Sequence, residues 1–168
     1  DYEIVHRDSP DRRGIDVALI YRRSVFREIS VSWKTPGHEG QKMDTREILQ
    51  VCLRDTSGRN LHFIVNHHPS KYGGAKESED RRTAAMTALK HICDSLAAVS
   101  DAPVIAMGDF NDTPDSPAFE VIEGTLACKG RDLRAPGEGS IRYEGKWDLI
   151  DMFMVSPPTE KATEMEVC

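Results

Sequence analysis

Three features are scarce in this chain of 168 residues, and each scarcity argues against a class of protein. The longest apolar runs are only about as long as a strand, whereas a membrane-spanning helix needs about 20 apolar residues. None of the four cysteines forms a C-x-x-C pair, which argues against a structural zinc site. Positive charge is also in deficit, since the formal net charge is −6. The chain therefore has no overall basic field to attract a nucleic-acid backbone.

The rest of the composition is typical of a globular domain, with 39% hydrophobic and 30% charged residues. The length is sufficient for a core, and the sequence has no repeats or low-complexity segments, so we predict a single domain over residues 1–168. The acidic balance suits ordinary solubility, and it would also suit carboxylates that hold a divalent cation. Cys52 and Cys93 fall at apolar strand and helix positions and are predicted to be buried thiols.

Hydrophobic patterning predicts an α+β fold. Strands are predicted over residues 16–21, 25–33, 45–53, 60–65, 104–107 and 147–155. The links between the early strands have hairpin length, with Gly58 at one turn, and are too short for parallel crossovers. Proline and glycine predict loops over 35–42 and 69–74. We therefore expect antiparallel or mixed sheets.

One long amphipathic helix is predicted over residues 77–99, because its apolar residues recur at helical spacing. Ser78 is its predicted N-cap, and acidic residues follow at the positive end of the helix dipole. A second, short helix is predicted to begin near Ser116, where Pro117 suits the first turn.

The most informative segment is residues 104–117, with the sequence VIAMGDFNDTPDSP. A buried strand runs into Gly108, and polar residues follow at once. Asp109 and Asn111 are two positions apart, so in an extended chain they point the same way, while Phe110 points into the core. The carboxylate could orient or deprotonate a water, and the amide could donate to a phosphate oxygen. A strand followed by an Asx turn is the alternative interpretation.

The string GDFND after a buried strand resembles the signature of the endonuclease/exonuclease/phosphatase superfamily. This superfamily includes pancreatic-type deoxyribonuclease, apurinic endonucleases, neutral sphingomyelinases and inositol polyphosphate phosphatases. The resemblance implies a deoxyribonuclease-like fold, in which a two-sheet β-sandwich is flanked by helices in four layers. It also implies metal-dependent hydrolysis of a phosphodiester or phosphomonoester, with Mg²⁺ or Mn²⁺ bound near Asp109 and Asn111 and with water activated near Asp109.

A second matching segment follows the predicted strand 60–65. Its Asn66-His67-His68 resembles the Asn-His or Thr-His that the family carries at a strand end, where the His faces the scissile phosphate. The match implies that His67 is catalytic, since an imidazole can donate to a phosphate oxygen, and that Asn66 is its neighbour in substrate binding. His68 alternates to the other face and is predicted to be structural.

A third matching segment is residues 147–156, WDLIDMFMVS. It resembles the late strand of the family, in which an Asp precedes an apolar run ending in Ser and hydrogen-bonds a catalytic His near the C-terminus. The match assigns this orienting role to Asp151, and Asp148 is the competing candidate. The alternative for Asp151 is a carboxylate at the mouth of a strand, held by backbone amides.

Four basic residues accompany these segments. Arg12, Arg13 and Lys71 could line a cleft for an anionic substrate, although solvated surface charges need no such role. Arg46 resembles the arginine at a strand start in the family, and we expect it to pair with a carboxylate and brace the sheet.

Two segments of the family are absent from the sequence. The family has an early strand ending in Gln-Glu, whose Glu is the principal metal ligand, and a late Ser-Asp-His, whose His is the general acid/base. We therefore expect the central part of a longer domain, lacking N- and C-terminal segments and weakly active or inactive on its own. Exposed sheet edges in such a chain would allow self-association.

Functional alternatives remain open. The substrate could be a phosphorylated small molecule, a phospholipid or a nucleic acid, and the net charge argues mildly against a dedicated DNA enzyme. A non-catalytic member of the fold would use the cleft only for binding. A zinc site built from His62, His67 and His68 is disfavoured, because His62 alternates away from His67.

Overall fold

The computed structural model describes residues 1–76, 78–131, 133, 138–162 and 165. Within these residues the strands are β1 (Tyr2–His6), β2 (Ala18–Arg22), β3 (Phe26–Lys34), β4 (Gly37–His38), β5 (Gln41–Lys42), β6 (Ile48–Asp55), β7 (Asn60–His67), β8 (Val104–Asp109), β9 (Ala127–Cys128), β10 (Ile141–Tyr143), β11 (Lys146–Asp148) and β12 (Asp151–Val155). The helices are α1 (Glu79–Ala97), α2 (Pro117–Glu120) and a final 3-10 helix, Pro157–Ala162. Glu77, where the long helix was predicted to begin, and Cys168 lie outside the described residues.

The centre of the fold is a six-stranded mixed sheet in the order β3-β6-β7-β8-β12-β9. Strands β7 and β8 are parallel, and helix α1 connects them, which gives the long crossover that parallel neighbours need. The other pairs in this sheet are antiparallel. The β6–β7 hairpin turns at Gly58, whose φ of 88° suits glycine, so the predicted hairpin and mixed sheet are confirmed.

One face of this sheet packs against helices α1 and α2. Alternate residues of β7 and β8, such as Ile64 and Ala106, point to this face and meet Leu89 of α1 and Phe119 of α2. All four side chains are fully buried. This is the apolar core that the helical periodicity of residues 77–99 predicts.

The opposite face is covered in part by the hairpin of β1 and β2, which forms a separate two-stranded sheet. Val5 and Leu19 of the hairpin pack against Leu49 and Val51 of β6. The described residues therefore form three layers, namely the small sheet, the large sheet and the helices. The predicted α+β class with two packed sheets is confirmed, in a reduced version of the four-layer arrangement.

Several predicted element boundaries are wrong. Residues 147–155 do not form one strand, because β11 pairs with β10 in a separate hairpin before β12 joins the large sheet. The backbone amides of Ile150 and Asp151 donate to the hydroxyl of Ser140 at this break. The predicted loop 35–42 contains the small β4–β5 hairpin, and strand β1 was not predicted.

Ser78 occupies the predicted N-cap position of α1 but does not cap the helix with its side chain. Its hydroxyl donates to the carbonyl of Gly74 at 2.6 Å and accepts a hydrogen bond from Arg82. The side chain therefore holds the preceding loop against the helix. Among the described cysteines, Cys52 and Cys93 are buried free thiols, as predicted.

The edges of the large sheet are β3 and β9. The predicted self-association through such edges stays a prediction. In the part of the chain that the structure describes, no helix combines the length and apolar character needed to span a membrane.

Candidate active site

Three neighbouring strands bring His67, Asp109 and Asp151 side by side. In the register of the sheet, Asp109 pairs with His67 on β7 and with Asp151 on β12. Directly paired residues point to the same face, so the three side chains share the face turned away from the helices. His67 Nε2 lies 3.5 Å from Asp109 Oδ2, and both side chains are about one quarter exposed, at 26% and 28%. The structure therefore brings these three predicted catalytic residues together.

Gly108 is required for this arrangement. Its φ is 127°, and a Cβ at this position would lie 2.1 Å from the carbonyl oxygen of Asn66 on β7. Any other residue would therefore force β7 and β8 apart immediately before His67 and Asp109. The glycine of the GDFND string is explained by this close approach of two backbones.

Asn111 joins the group through a turn. Its φ is 51°, so the chain leaves the extended conformation after Asp109, and the prediction of an extended Asp109–Asn111 segment is wrong. The turn forms because the Asn111 backbone amide donates to Asp109 Oδ1 at 2.7 Å. The side-chain amide of Asn111 also donates to the carbonyl oxygen of His68 at 2.9 Å. The amide is therefore fixed beside the carboxylate by hydrogen bonds rather than by strand alternation.

Phe110 and His68 lie on the helix side of the sheet, as predicted. Their ring centroids are 5.0 Å apart in an edge-to-face contact, and both side chains are buried. Burial lowers the pKa of His68 to about 3, with the positive charge of Arg46 acting in the same direction. His68 is thus a neutral core residue near pH 7.

Asn66 is not brought to the site. Its side chain is buried and donates to the carbonyl oxygen of Ile64 at 3.1 Å, on the face opposite to His67. The predicted place of Asn66 in substrate binding therefore has no support from its location. His62 lies on the same face of β7 as Asn66, opposite to His67. His62, His67 and His68 therefore do not converge on one zinc site.

A buried ion pair between Arg46 and Asp11 lies next to the site. Arg46 donates to Asp11 Oδ2 at 3.0 Å and to the carbonyl oxygen of His68, which also accepts from Asn111. The predicted bracing role of Arg46 is confirmed. Burial favours a raised pKa at Asp11, but hydrogen bonds from Arg13 and Arg46 outweigh it and hold the pKa well below its usual range. Sequence reasoning missed Asp11, whose only signal is a lone carboxylate before two arginines.

Arg13 and Arg12 lie beside this ion pair. Arg13 is about half exposed and bonds both oxygens of Asp11, whereas Arg12 pairs with Asp44. Together with Arg46 and Tyr72 they line a cavity of about 210 Å³. Arg13 thus lies near the site with a positive charge available to an anion.

Lys71 and Asn111 line one cavity. Its Nζ is 3.0 Å from Asp112, a buried carboxylate that also accepts from Arg82 at 2.8 Å. Burial alone would raise the pKa of Asp112, but the hydrogen bonds from Arg82 and Lys71 lower it. Two cations therefore share one carboxylate, which leaves a net positive charge at this wall of the site.

The electrostatics of the site favour an uncharged imidazole next to a basic carboxylate. Burial lowers the pKa of His67 to about 4, and the charges of Arg46 and Arg13 act in the same direction. Burial raises the pKa of Asp109, and the nearby charge of Asp151 raises it further. His67 is therefore neutral near pH 7, and the two carboxylates repel each other.

The oxygen donors at the site suit a hard cation such as Mg²⁺ or Mn²⁺. Asp109 and Asp151 carry adjacent carboxylates, because the two residues are paired in the register of β8 and β12. Asn111 uses its amide nitrogen for His68, which directs its amide oxygen elsewhere. Three side chains provide too few oxygens for six-coordinate Mg²⁺, so water and substrate would have to supply the rest.

Among the described residues, one group of three metal-ligating side chains lies close together, namely His6, Asp8 and Asp16. His6 and Asp16 are also joined by a 3.3 Å contact. His6 and Asp8 are exposed, and none of the three belongs to the three-strand group.

Comparison with known sequences identifies one family. A family model described as "Endonuclease/Exonuclease/phosphatase family" matches residues 1–166. No curated protein matches the chain.

Solved structures share the fold at low sequence identity. The human Nocturnin catalytic domain with bound sulfate has a TM-score of 0.73 and 18% identity, over 93% of this chain and 61% of that one. A mannosyl-6-phosphatase of Bacteroides thetaiotaomicron has a TM-score of 0.70 and 17% identity, over 93% and 63%. ANGEL2, described as a 2′,3′-cyclic phosphatase, has a TM-score of 0.75 and 14% identity, over 93% and 62%. The chain thus spans little more than three fifths of these structures, and the likeness establishes the fold.

Proposed function

We propose that this chain, which belongs to the endonuclease/exonuclease/phosphatase family, carries the catalytic centre of a metal-dependent phosphoesterase. The reaction is hydrolysis of a phosphodiester or phosphomonoester by a water molecule activated near Asp109. The observation that supports it most directly is the convergence of His67, Asp109 and Asp151 on one open face, with Asn111 fixed beside them.

Asp109 is proposed to orient and deprotonate the water. The Asn111 amide holds Asp109 Oδ1, so Oδ2 remains the oxygen that faces the open side near His67. Burial raises the pKa of Asp109 in the metal-free protein, because a proton binds more tightly to a partly desolvated carboxylate.

Asn111 and His67 are proposed to hold the phosphate oxygens. A side-chain amide carries two N–H groups, and Asn111 commits only one of them to the His68 carbonyl. A neutral imidazole carries one N–H, which His67 can direct to a nonbridging oxygen. The charges of Arg13 and Lys71 favour the approach of an anionic ester from either side.

Mg²⁺ or Mn²⁺ is proposed as the cofactor, held by Asp109 and Asn111 close to Asp151. When bound, such an ion stabilises negative charge that develops on the phosphoryl oxygens. Asp151 has an exposed side chain, and we assign to it the orientation of a general-acid imidazole, as the family resemblance implies.

The test is hydrolysis of bis(p-nitrophenyl) phosphate by the complete natural polypeptide that contains these residues, with Mg²⁺ and with a chelator. Asp109→Ala should lower kcat/KM by about 10³-fold, within the usual range for a general base. Asp94→Ala on helix α1 is the matched control, because Asp94 is paired with Lys90 at the surface and lies outside the three-strand group. Unchanged turnover in a folded Asp109→Ala protein would overturn the role of Asp109. Turnover that is the same with Mg²⁺ and with chelator would overturn the metal dependence.

A non-catalytic binding module is the second candidate. It is favoured by the small number of metal-ligating oxygens at the site, where the described chain contributes two carboxylates and one amide. In that case the polypeptide would bind inorganic phosphate without metal-dependent turnover of any ester in a substrate panel.

A further inference from the structure

A buried ion-pair network joins helix α1 to the proposed phosphate site. The side chain of Asp112 is only 7% exposed, and its two oxygens meet two different cations. Arg82 Nε donates to Oδ2 at 2.8 Å, and Lys71 Nζ lies 3.0 Å from Oδ1. Asp112 directly follows Asn111, which we propose to hold a phosphate oxygen. The network therefore ends beside the proposed binding site.

The two cations differ in exposure. The side chain of Arg82 is 3% exposed, whereas that of Lys71 is 42% exposed. A guanidinium that has lost its water needs a carboxylate partner, but an ammonium at the surface can also bind a second anion. Lys71 and Asn111 line the same cavity, of about 500 Å³. Lys71 is therefore the member of the network that an incoming anion can reach.

Arg82 also braces the loop that carries Lys71. Its two terminal nitrogens donate to Ser78 Oγ at 2.6 Å and to the carbonyl oxygen of Ala75 at 2.8 Å. The hydroxyl of Ser78 donates in turn to the carbonyl oxygen of Gly74 at 2.6 Å. The Gly74 amide donates to the carbonyl oxygen of Lys71 at 3.1 Å. Arg82 is thus connected to Lys71 both by charge and by a chain of hydrogen bonds.

The charge balance of the network depends on Arg82. One carboxylate faces two cations, so one positive charge is left over, and it lies at the exposed Lys71. Without Arg82, the buried Asp112 carboxylate and Lys71 would form a pair with no net charge. A buried carboxylate holds its last counter-charge tightly, because water cannot replace it. A phosphate at Asn111 would then compete with Asp112 for Lys71.

We propose that Arg82 is a positioning residue for phosphate binding, which neutralises Asp112 and so leaves the charge of Lys71 available beside Asn111. Arg82 contacts no substrate and acts through Lys71. The identification of phosphate as the anion rests on the proposed phosphoesterase function. A purely structural Arg82 would act through its hydrogen bonds to the loop rather than through its charge.

The first test is binding of inorganic phosphate to the complete natural polypeptide in Mg²⁺, measured by isothermal titration calorimetry. Arg82→Met should raise the Kd for phosphate about fivefold, the size of one partly exposed charge pair. Lys71→Met should raise it by a similar factor. The double variant Arg82→Met/Lys71→Met should bind no more weakly than Lys71→Met alone, because Arg82 acts through Lys71. Losses that multiply in the double variant would overturn the proposal.

Two further variants separate charge from bracing. Arg82→Lys keeps a positive charge near Asp112, but one ammonium cannot reproduce the three hydrogen bonds of the guanidinium. It should therefore keep most of the phosphate affinity and lower Tm. Ser78→Ala removes the hydroxyl of the brace and leaves both cations in place, so it should also keep phosphate affinity. A fivefold loss of affinity in Arg82→Lys and in Ser78→Ala would identify Arg82 as a loop brace only.

Removal of both buried charges provides a rescue. Arg82→Met/Asp112→Asn has no uncompensated carboxylate to hold Lys71, so its phosphate affinity should return towards that of the parent. This variant also carries no unpaired buried charge, and it remains measurable if Arg82→Met does not fold. Phosphate binding as weak as in Lys71→Met would overturn the proposal. Lys90→Met is the matched control, since it removes a surface lysine of the same helix that pairs with Asp94, and it should change nothing.

Turnover then separates this inference from the proposed function. With bis(p-nitrophenyl) phosphate, Arg82→Met should raise KM about fivefold with little change in kcat, because Lys71 contacts the phosphate before the transition state. A parent that binds phosphate through Lys71 but hydrolyses no ester would reject the phosphoesterase function and leave the role of Arg82 standing. Hydrolysis by a parent whose phosphate affinity is unchanged in Lys71→Met would do the reverse. A parent that neither binds phosphate nor hydrolyses the ester would reject both.

Discussion

The two faces of the six-stranded sheet differ in composition and in exposure. The helix face is sealed by apolar side chains such as Ile64, Leu89 and Phe110, all fully buried. The opposite face is only partly covered by the β1–β2 hairpin, and beside Asp151 it leaves Phe153 at 40% exposure. The same strands therefore provide stability through one set of alternate residues and chemistry through the other.

The difference between the two faces is clearest for His67 and His68. His67 and His68 are adjacent, and burial lowers the pKa of both. His67 nevertheless faces Asp109 on the open side, whereas His68 packs against Phe110 inside the core. Residue type alone does not separate a site histidine from a core histidine, but strand parity does.

Truncation of matched residues on the two faces should give the largest difference. Leu89→Ala should lower the free energy of unfolding by about 3–4 kcal/mol, because it leaves a cavity in a sealed core. Phe153→Ala should cost less than about 1 kcal/mol, since that side chain is already partly in water. Urea denaturation of both variants measures the difference, and equal losses would contradict a closed and an open face.

Loss of the Arg46–Asp11 ion pair should lower the free energy of unfolding nearly as much. Arg46→Met leaves the buried Asp11 carboxylate without its best-shielded partner and should cost about 3 kcal/mol in unfolding free energy. Arg81→Met removes an exposed arginine of the same cavity lining and should stay within about 0.5 kcal/mol of the parent. If both substitutions proved equally mild, Arg46 would be only a surface charge.

Separate substitutions of His67 and His68 should distinguish a catalytic role from a stabilising one. His67→Ala should lower kcat/KM by about 100-fold with little change in Tm, because it removes a donor to the phosphate. His68→Gln should lower Tm, because it puts an amide into an apolar environment. Steady-state kinetics and thermal denaturation of both variants provide the four values. The reverse pattern would assign the site to His68.

Low pH should lower the free energy of unfolding through the buried side chain of His68. Its pKa is about 3 in the folded protein, against about 6.5 unfolded, so between these values only the unfolded state takes up the proton. Stability is therefore present above pH 6.5 and declines as the pH falls towards 3. From pH 7 to pH 5, in chelator, His68 alone should lower the free energy of unfolding by about 2 kcal/mol.

His68→Phe is the control for that titration. It keeps an aromatic ring against Phe110 and removes the titrating group, so the loss between pH 7 and pH 5 should become smaller. His67, with a pKa of about 4, adds acid sensitivity in the same direction in both proteins. An unchanged loss in His68→Phe would show that other groups cause the acid sensitivity.

Alternation and motif spacing predicted much of this molecule from the sequence. The β6–β7 hairpin, helix α1, strand β8 and the opposite orientations of His67 and His68 all follow from patterns a few residues long. These patterns are reliable because alternation of side chains is a local property of the backbone. The bracing role of Arg46 was predicted from the family resemblance, although its partner Asp11 was not.

Pairing between distant segments was decided only by the tertiary structure. Asp11 meets Arg46 across 35 residues, and Asp151 lies opposite Asp109 because β12, and not the predicted strand 147–155, joins the sheet. The turn at Asn111 replaced an extended chain, since a hydrogen bond to Asp109 outweighed strand continuation. The sequence by itself determined which faces the side chains take, because that depends on neighbouring residues. Only the folded chain decided which faces meet, because that depends on long-range packing.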